Sequence, residues 1–490
     1  MYIGIDLGTS GVKVVLVDEN QRIVGSHTSP LKASYPQSGW AEQNAEDWIT
    51  ATDAAMEALS AEYVSMIGAV RGIGLSGQQH GATFVAADGS VLRPCMLWND
   101  TRSHVQAAKL DADPRFRDRI GNIVFPGFTA PKVQWVREHE PDIFERTTKV
   151  LLPKDYLRLW LTGEAVSDMS DASGTGWLNV AKRDWEDDLL AETGLSRENM
   201  PRLVEGSEAS GELRRDLADA WRLPKDVVVA GGGGDNAASA VGQGIVAPGS
   251  AFVSLGTSGV LFAVNDSYKP NAASAVHTFC HALPDTWHQM GVILSAAGSM
   301  EWLSGVLDTD AGELSDMAEA LPAGPSPVKF LPYLSGERTP HNDAAVRGAF
   351  LGLGVEHGAA DMARAVMEGV AFAFRDNLEA LKQAGTHLDR VVAVGGGSRS
   401  DIWLEIMAAS LNLPVDVPAD GDYGGAFGAA RLGRLAVHGE TVADIATPPP
   451  IVRTVEPDTD MAQAYGHAYQ RWTPLYRAVS SATNSAAATS

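Results

Sequence analysis

Apolar runs of strand length alternate with helical patterns along most of the chain. MYIGID and VKVVLVD, residues 1–6 and 12–18, flank one short glycine-containing turn, and SAFVS and VLFAV, residues 250–254 and 260–264, flank another. Two apolar runs joined by such a turn predict a β-hairpin. Residues 45–63 instead carry apolar side chains at helical spacing, and the acids Glu46 and Asp47 suit a helix start. This alternation predicts an α/β fold in which helices cover layered sheets.

The two predicted hairpins share one turn sequence. LGTSGV occurs at 7–12 and recurs at 255–260. A repeat with matching flanks predicts two halves with related cores, and we place the domains at 1–243 and 244–480. Residues 481–490 are rich in Ala and Ser and predict a disordered tail. The proline-rich segment 447–454 predicts a surface loop.

The chain is strongly acidic, with a formal net charge of −23 over 490 residues. Such a surface repels nucleic acid phosphates and anionic membranes, so neither is an expected partner. Any bound phosphate must therefore be held locally, by backbone N–H groups, a metal or a few placed cations. The two cysteines, Cys95 and Cys280, lack metal-ligand spacing and predict buried thiols in a reducing compartment. The N-terminal apolar run is too short for a signal peptide, so we expect a cytoplasmic protein.

The repeated turn presents backbone N–H groups with little side chain around them, which makes it a nest for anions. The hydroxyls of Thr9, Ser10, Thr257 and Ser258 add donors. One glycine-rich turn is more often only a turn. Two matching copies favour two phosphate sites, one in each half.

The two copies differ at the residue before the leucine, which is Asp6 in the first and Ser254 in the second. A carboxylate beside a phosphate nest repels the phosphate unless a cation lies between them. Asp6 therefore predicts bound magnesium, held through the carboxylate and waters. The alternative is an aspartate that only stabilises the turn.

Four consecutive glycines, 231–234, follow an apolar strand and precede Asp235 and a helix of small residues. We expect Asp235 to stay ionised at neutral pH, because the positive end of a helix favours the anion. An ionised carboxylate that faces a cleft can take a proton from a hydroxyl nucleophile, so Asp235 is the candidate base. The alternative is that Asp235 merely caps its helix, but four glycines exceed what a cap requires and would let a ligand approach the backbone.

Two polar segments of the first half, SGQQHG (76–81) and LWNDTR (97–102), predict a sugar site. Their amide, imidazole and carboxylate groups can hydrogen-bond sugar hydroxyls, and Trp98 can pack on the apolar face of a carbohydrate. A buried structural histidine is the alternative for His80. In the second half, the turn at 395–397 would let a base or ribose lie against the backbone. The P-loop pattern GxxxxGK[ST] and the zinc-protease pattern HExxH do not occur in the sequence.

Phosphate hairpins duplicated around an acidic base resemble the actin-like ATPase fold and, within it, the FGGY carbohydrate kinases. GFTAPKVQW (127–135) and GAFLGLGVEHGAADMARAVMEGV (348–370) resemble the two signatures of that family, and YLSGERTPHND (333–343) is typical of it. The resemblance covers nearly the whole chain. It implies an α/β protein of two actin-like ATPase (ribonuclease H-like) domains with a deep interdomain cleft.

Within the family, SGQQHGATF, LRPCMLWNDTR, LLPKDYLRLW and SDMSDASGTGWL resemble kinases of five-carbon ketoses. Those relatives usually carry Met-His-Gly where this chain has Gln79, His80 and Gly81, so the pocket wall is more polar here. The resemblance implies ATP-dependent phosphorylation of a ketose, with ATP and Mg²⁺ bound in the cleft. It also suggests a homodimer.

Position by position, the resemblance implies roles for individual residues. Asp235 is the general base and, together with Asp6, contacts the metal. The ketose is surrounded by Gln79, His80, Trp98, Asn99, Asp100 and Asn236. The ATP contacts are Gly8, Thr9, Ser10, Lys13, Gly256, Thr257, Gly298, Gly396, Gly397 and Ser400.

Other functions stay open at this point. A kinase for another pentulose or for a polyol would use the same residues. A non-catalytic sugar sensor would keep this fold without its chemistry, and an actin-like chaperone or filament protein is a third alternative. The presence of Asp6 and Asp235 argues against a non-catalytic sensor. The cluster of polar residues predicted to bind a sugar argues against a chaperone or filament protein.

Overall fold

The computed structural model describes residues 1–419, 421 and 423–487 of the chain. Its strands are β1 (Tyr2–Leu7), β2 (Gly11–Val17), β3 (Ile23–Pro30), β4 (Glu42–Gln43), β5 (Gly72–Gly77), β6 (Thr83–Val85), β7 (Cys95–Met96), β8 (Lys149–Leu151), β9 (Val166–Asp168), β10 (Leu178–Asn179), β11 (Asp184–Trp185), β12 (Arg202–Val204), β13 (Ala209–Glu212), β14 (Val228–Ala230), β15 (Gly233–Gly234), β16 (Ala251–Leu255), β17 (Gly259–Asn265), β18 (His277–Cys280), β19 (Trp287–Ile293), β20 (Lys329–Leu331), β21 (Ala349–Leu351), β22 (Val391–Val394), β23 (Val415–Pro418) and β24 (Ile451–Val455). Its α-helices are α1 (Ala45–Glu62), α2 (Val64–Ile67), α3 (His104–Asp111), α4 (Pro114–Ile120), α5 (Thr129–His139), α6 (Pro141–Arg146), α7 (Pro153–Thr162), α8 (Met169–Ala172), α9 (Asp187–Glu192), α10 (Arg215–Ala220), α11 (Asp235–Gly242), α12 (Ala297–Leu307), α13 (Ala311–Glu319), α14 (Ala359–Gln383), α15 (Asp401–Leu411), α16 (Gly425–His438), α17 (Val442–Ile445), α18 (Thr459–Trp472) and α19 (Leu475–Ala487).

The first large sheet has the strand order β13-β14-β5-β1-β2-β3, with β15 also paired to β5. Strand β1 is antiparallel to β2 and parallel to β5, and β5 is parallel to β14. The central strands YIGIDL and GIGLSG are buried along almost their whole length. Such continuous burial is expected at the centre of a sheet whose two faces are both covered.

The second large sheet has the order β18-β19-β17-β16-β22-β23-β24. Strand β16 is antiparallel to β17 and parallel to β22, which is parallel to β23. The series β3-β2-β1-β5-β14 of the first sheet corresponds to the series β19-β17-β16-β22-β23 of the second. The relative strand directions are the same in the two series. The structure therefore confirms both predicted hairpins and the predicted duplication of an α/β unit.

Two predictions about the C-terminal region were wrong. Within 447–454, predicted as a loop, strand β24 begins at Ile451 and pairs antiparallel with β23. The prolines precede this strand, and β24 lies at the edge of its sheet, where prolines nearby are tolerated. The predicted disordered tail 481–490 is helical as far as Ala487, where α19 ends. Alanine favours helix, and the hydroxyls of Tyr476 and Ser480 donate to Asp343 at 3.0 and 2.8 Å; residues 488–490 lie outside the described residues.

Helix α16 follows all strands of the second sheet except β24 in sequence but packs on the first sheet. The contact is made backbone to backbone: a Cβ atom added at Gly4 of β1 would lie 1.7 Å from the carbonyl oxygen of Ala426. On its other side, a Cβ at Gly428 of α16 would lie 1.7 Å from the carbonyl oxygen of Ala238 in α11. Only glycine fits such positions, so α16 is locked between the first sheet and α11.

The start of α16 joins the two sheets at their carboxyl ends. A Cβ at Gly425 would lie 2.7 Å from Ser76 Oγ and 3.0 Å from Asp6 Oδ1, both on the first sheet. Strand β23 of the second sheet ends at Pro418. Seven residues of chain reach at most about 25 Å, so the end of β23 lies within that distance of the start of α16.

Cys95 and Cys280 are both free and buried, as predicted. Within the part of the chain that the structure describes, no helix combines the length and the apolar character that a membrane span requires.

We expect two glycine-to-alanine changes in helix interiors to have opposite effects on thermal unfolding. Gly428→Ala should lower the free energy of unfolding by about 1–3 kcal/mol, because the added methyl meets the backbone of α11. Gly466→Ala in α18 is the matched control: nothing lies within 4 Å of its added Cβ, so it should raise that free energy by about 0.5–1 kcal/mol. Thermal denaturation of both variants followed by circular dichroism measures this. Equal effects would contradict the packing described for α16.

Candidate active site

Three neighbouring strands bring the candidate acidic residues to one edge of the first sheet. Asp6 of β1 lies beside Ser76 of β5, and Ser76 lies beside Gly233 of β15. Because these strands are parallel, their carboxyl ends meet at that edge, and Asp235 follows two residues after Gly233. The Ser76 hydroxyl donates to Asp6 Oδ1 over 2.7 Å. The carboxyl ends of parallel strands are where ligands bind in open α/β sheets.

The carboxylates of Asp6 and Asp235 fit a metal ion that binds together with a phosphate group. Among residues 1–419, 421 and 423–487 there is no group of three or more His, Cys, Asp or Glu side chains placed to hold a metal. Mg²⁺ does not need such a group, because it keeps several waters and binds through one or two carboxylates plus substrate phosphates. Asp6 and Asp235 are the residues here that can supply those carboxylates.

Asp235 lies half-buried at the first position of α11. The backbone N–H and the side-chain amide of Asn236 donate to its Oδ1 at 2.7 and 2.9 Å. Burial, and secondly the nearby charge of Asp6, raise the pKa of Asp235 to about 6 although the contacts with Asn236 oppose the shift. The sequence analysis expected the helix terminus to dominate; burial outweighs it. The carboxylate is still mostly ionised at pH 7, with the affinity for protons that a base needs.

Close packing within the protein explains three of the four glycines before Asp235, and at Gly231 and Gly232 the packing is against backbone. Cβ atoms at Gly231 and Gly232 would lie 2.1 and 2.2 Å from backbone carbonyl oxygens, and one at Gly234 would lie 2.5 Å from the side-chain nitrogen of Gln79. Gly232 also has φ +76°, which favours glycine. The space that four glycines would leave for a ligand is occupied by the backbone of Glu205 and Leu75 and by the side chain of Gln79. Their close approach fixes the turn that carries Asp235.

A closed ring of hydrogen bonds holds the first repeated turn. The Thr9 hydroxyl donates to Gln78 Oε1 at 3.0 Å, the Gln78 amide donates to Gln43 Oε1 at 2.9 Å, and the Gln43 amide donates to the Thr9 carbonyl at 2.7 Å. Trp98 Nε1 donates to the same Thr9 hydroxyl at 3.1 Å. The proton of that hydroxyl therefore points to Gln78 and not to a phosphate. The backbone N–H groups of the turn and the Ser10 hydroxyl remain as candidate donors to an anion.

His80 is held in one tautomer and one orientation. Its Nδ1 lies 2.8 Å from the carbonyl oxygen of Gly174, which can only accept, so Nδ1 carries the proton and Nε2 is left as an acceptor. Burial lowers the pKa of His80 to about 3, so the ring is neutral. Its backbone has φ +69°, and Thr129 and Lys132 donate to its carbonyl at 3.1 and 2.9 Å. His80 is thus a fixed, neutral hydrogen-bond acceptor, stacked on Phe128.

The remaining residues predicted to bind the sugar differ in their exposure and in the hydrogen bonds that they already make. Trp98 is 49% exposed, and the buried Asn99 Oδ1 has no hydrogen-bond partner among the described residues. Asp100 is fully buried: its Oδ2 accepts from the Ala41 N–H at 2.7 Å and from Arg102 Nη2 at 2.6 Å, while Oδ1 accepts from the Arg102 backbone at 3.0 Å. Protein donors thus use both its oxygens, so Asp100 fixes the segment and contacts a sugar only if these bonds break.

The second repeated turn packs against the start of α12. The carbonyl of Gly256 accepts from the Ala297 N–H at 2.8 Å, and that of Thr257 accepts from the Gly298 N–H at 3.2 Å. A Cβ at Gly298 would lie 2.7 Å from the Thr257 carbonyl oxygen. Three of the predicted nucleotide residues are therefore joined at one end of the second sheet.

The turn at 395–397 lies beside that site. Cβ atoms at Gly395 and Gly397 would lie 2.8 and 3.0 Å from Leu255, the residue before Gly256, whereas one at Gly396 would meet nothing within 4 Å. Gly396 therefore presents open backbone, as the prediction for a base or ribose requires. Ser400 caps α15 and its hydroxyl lies 2.7 Å from that of Ser315.

Sequence reasoning missed the residues that support the candidates. Gln43, Ser76 and Gln78 contact Thr9 or Asp6, and the latter two lie in or next to the segment SGQQHG, so a signal was present. Lys132 and Thr129, which hold the carbonyl of His80, lie in the segment 127–135. That segment served only as a family signature, and no role was predicted for its individual residues. Lys13 faces Asp6 across the β1–β2 ladder.

Comparison with known proteins agrees with this architecture. Residues 1–242 match the model of the FGGY family of carbohydrate kinases, N-terminal domain, and residues 251–437 match the C-terminal domain of the same family. The xylulose kinase of Escherichia coli (strain K12) is 47% identical over 482 residues, covering 97% of this chain and 99% of the relative.

Solved structures are similar over the same extent. The crystal structure of a xyloylose kinase from Brucella ovis has a TM-score of 0.96 and 58% identity, covering 97% of this chain and 99% of that one. The xylulose kinase from Rhodospirillum rubrum has a TM-score of 0.91 and 29% identity, with 97% and 98% covered.

Replacing Asp235 should stabilise the protein at high pH. Its pKa is raised from 3.8 to about 6 in the fold, so the folded state binds the proton more tightly than the unfolded state and loses stability as the pH rises through 6. Asp235→Asn should therefore melt at a higher temperature than the parent at pH 8, and the gain should vanish near pH 4. Melting curves without nucleotide and metal measure this, with the exposed Asp226→Asn as control. A gain of equal size at both pH values would contradict the assigned burial.

Proposed function

We propose that this chain, which belongs to the FGGY family of carbohydrate kinases, transfers the terminal phosphoryl group of ATP to D-xylulose and releases ADP and D-xylulose 5-phosphate. Membership of a kinase family of this kind implies ATP and a divalent metal, and we propose Mg²⁺. The observation that carries the proposal is Asp235, placed at the sheet edge beside Asp6 in a chain so similar to xylulose kinases.

Asp235 is the proposed general base. The terminal hydroxyl of the ketose gives its proton to the carboxylate while its oxygen attacks the terminal phosphorus, and the bond from that phosphorus to the ADP oxygen breaks. A positioned base contributes about 10²–10⁴ in rate. The raised pKa of Asp235 supports this role, because a carboxylate with pKa about 6 holds a proton better than an ordinary one. Asn236 orients the carboxylate by donating twice to Oδ1.

The nucleotide is proposed to lie between the two repeated turns. The N-terminal contacts are Gly8, Thr9, Ser10 and Lys13, and the C-terminal contacts are Gly256, Thr257, Gly298, Gly396, Gly397 and Ser400. Asp6 would hold the metal, with Asp235 near it. When bound, the metal neutralises charge on the transferring phosphoryl group. The protein contributes mainly backbone donors, which suits a chain with a net charge of −23.

The ketose is proposed to lie against His80, with Trp98 on its apolar face. His80 Nε2 accepts from one sugar hydroxyl, since Nδ1 is committed to Gly174. Asn99 Oδ1, which is buried without a partner among the described residues, is free to accept from another. Gln79 and Asn236 complete the polar wall, and Asp100 acts through the segment it fixes.

One observation favours a second candidate substrate. Gln79 replaces the methionine expected from the resemblance, and its amide nitrogen bonds the carbonyl of Ser170 at 3.3 Å. A more polar wall also suits another pentulose, such as ribulose, or a polyol.

We also propose a cytoplasmic location, a homodimer and domain limits at 1–243 and 244–480. The acidic surface and the free, buried cysteines support the cytoplasmic location.

A coupled assay of ADP release over a panel of ketoses and polyols tests the proposal. With ATP and Mg²⁺, D-xylulose should give the highest kcat/KM, because His80 and Asn99 accept from its hydroxyls while Asp235 meets the terminal one. Asp235→Asn should abolish sugar-dependent turnover and leave nucleotide binding, measured by calorimetry, intact. ADP release that no sugar stimulates would contradict the kinase, and a better pentulose or polyol would establish the second candidate.

Asp6→Asn should raise the Mg²⁺ concentration that gives half-maximal rate by about tenfold or more, because one of at most two carboxylate ligands loses its charge. The amide oxygen still accepts from Ser76, so the fold is preserved. Rates are measured against Mg²⁺ at saturating ATP, with Asp226→Asn as control. Titration curves that overlay those of the parent would remove Asp6 from the metal site.

A further inference from the structure

Ser170 of α8 links the turn that carries Asp235 to the turn that carries His80. Its hydroxyl oxygen accepts from the Gly234 N–H at 3.1 Å, one residue before Asp235. Its carbonyl oxygen accepts from the side-chain amide of Gln79 at 3.3 Å. One fully buried residue therefore contacts both parts of the candidate site without being exposed to a ligand itself.

A buried charge holds Ser170 in place. The backbone N–H and the hydroxyl of Ser170 both donate to Asp168 Oδ2, at 2.8 and 2.5 Å. Asp168 Oδ1 in turn lies 2.9 Å from Lys154 Nζ of helix α7. Hydrogen bonds therefore converge on the Asp168 carboxylate: the Lys154 ammonium donates from one side, and the Gly234 amide donates through the Ser170 hydroxyl from the other. Because a hydroxyl that donates to a carboxylate becomes a better acceptor, its bond to Gly234 is strengthened.

The charges around Lys154 compensate one another. Lys154 also lies 2.5 Å from Asp155 and 3.4 Å from Asp171, and all these side chains are fully buried. Burial alone would lower the pKa of Lys154, but the three carboxylates raise it overall, so the ammonium stays charged. Burial also raises the pKa of Asp171, against the pull of Lys154. Asp168 is thus anchored to a permanent buried cation.

The same helix holds the other end of the base-bearing turn. Arg158, one helical turn after Lys154, donates to the carbonyls of Ala230 and Gly231. The glycine turn is therefore fixed to α7 at its first residue by Arg158 and, through Asp168 and Ser170, at its last residue by Lys154. A turn of four glycines has little stiffness of its own, so these contacts, together with the pairing of β15 with β5, fix where Asp235 lies.

We propose that Ser170 is a positioning residue for phosphoryl transfer: its hydroxyl fixes the Gly234 amide and so keeps the Asp235 carboxylate at the sheet edge. The inference rests on the proposed role of Asp235 as base. Ser170 touches neither sugar nor nucleotide, so its loss affects the chemical step and not the binding of either substrate. A misplaced catalytic group costs about 10²-fold in rate for a displacement of about 1 Å.

The experiment compares Ser170→Ala with Ser167→Ala. Ser167 is equally buried and three residues away, and its hydroxyl has no partner among the described residues, so its loss is the matched control. For each variant kcat, the KM of D-xylulose, the KM of ATP and the melting temperature are measured. Ser170→Ala should lower kcat by about tenfold or more and leave both KM values within about threefold. Ser167→Ala should leave all kinetic values within about twofold of the parent.

A purely structural role would lower the melting temperature and leave kcat of the folded enzyme unchanged, which would overturn the inference. Equal losses of kcat in the two serine variants would overturn it as well. Should Ser170→Ala not fold, Ser170→Cys keeps the volume but offers only a weak acceptor, and the same loss of kcat is expected of it.

The parent and Asp235→Asn are assayed beside them. A parent inactive on every sugar, or an active Asp235→Asn, removes the proposed function itself. An active parent, an inactive Asp235→Asn and an unchanged Ser170→Ala refute the positioning role alone.

Discussion

The architecture depends on the side-chain-free contact between helix α16 and the first sheet. At Gly4 and Gly428 the backbones approach so closely that a single methyl group would meet a carbonyl oxygen. The helix reaches this place after the chain has completed most of the second sheet, so it ties the C-terminal half to the N-terminal sheet. Gly425 begins it directly beside Asp6 and Ser76. The contact that joins the halves is therefore also one wall of the candidate active site.

Charge is used in two different ways in this acidic protein. The buried basic side chains Lys132, Lys154 and Arg158 bind carboxylates or backbone carbonyls and fix turns. The candidate phosphate sites rely mainly on the backbone N–H groups of glycine-containing turns. The two carboxylates at the sheet edge repel each other, which contributes to the raised pKa of Asp235. A cation at this edge would lower that pKa and favour the ionised base.

Sequence patterns predicted the framework of the fold because it is local. The two hairpins around 7–12 and 255–260 and the helix within 45–63 follow from apolar periodicity and glycine turns, and the structure has them. Strand β24 was missed because the prolines before it outweighed a short apolar run, and α19 because Ala and Ser at a chain end resemble a disordered tail. The packing of α16 on Gly4 involves residues more than 400 apart, which periodicity cannot connect.

The candidate site shows the same division between local and long-range information. Asp6 lies near the end of β1, and His80 and Asp235 lie just after β5 and β15, where their residue types are informative. Lys154, Asp155 and Arg158 form the polar face of α7, which by pattern alone is a face exposed to solvent. The structure buries that face completely, because Asp168 and Asp171, from the next two elements β9 and α8, supply the opposite charges. A buried polar network can be recognised only when the positions of both partners are known. Sequence patterns therefore identify the groups within the candidate site but not the residues that orient them.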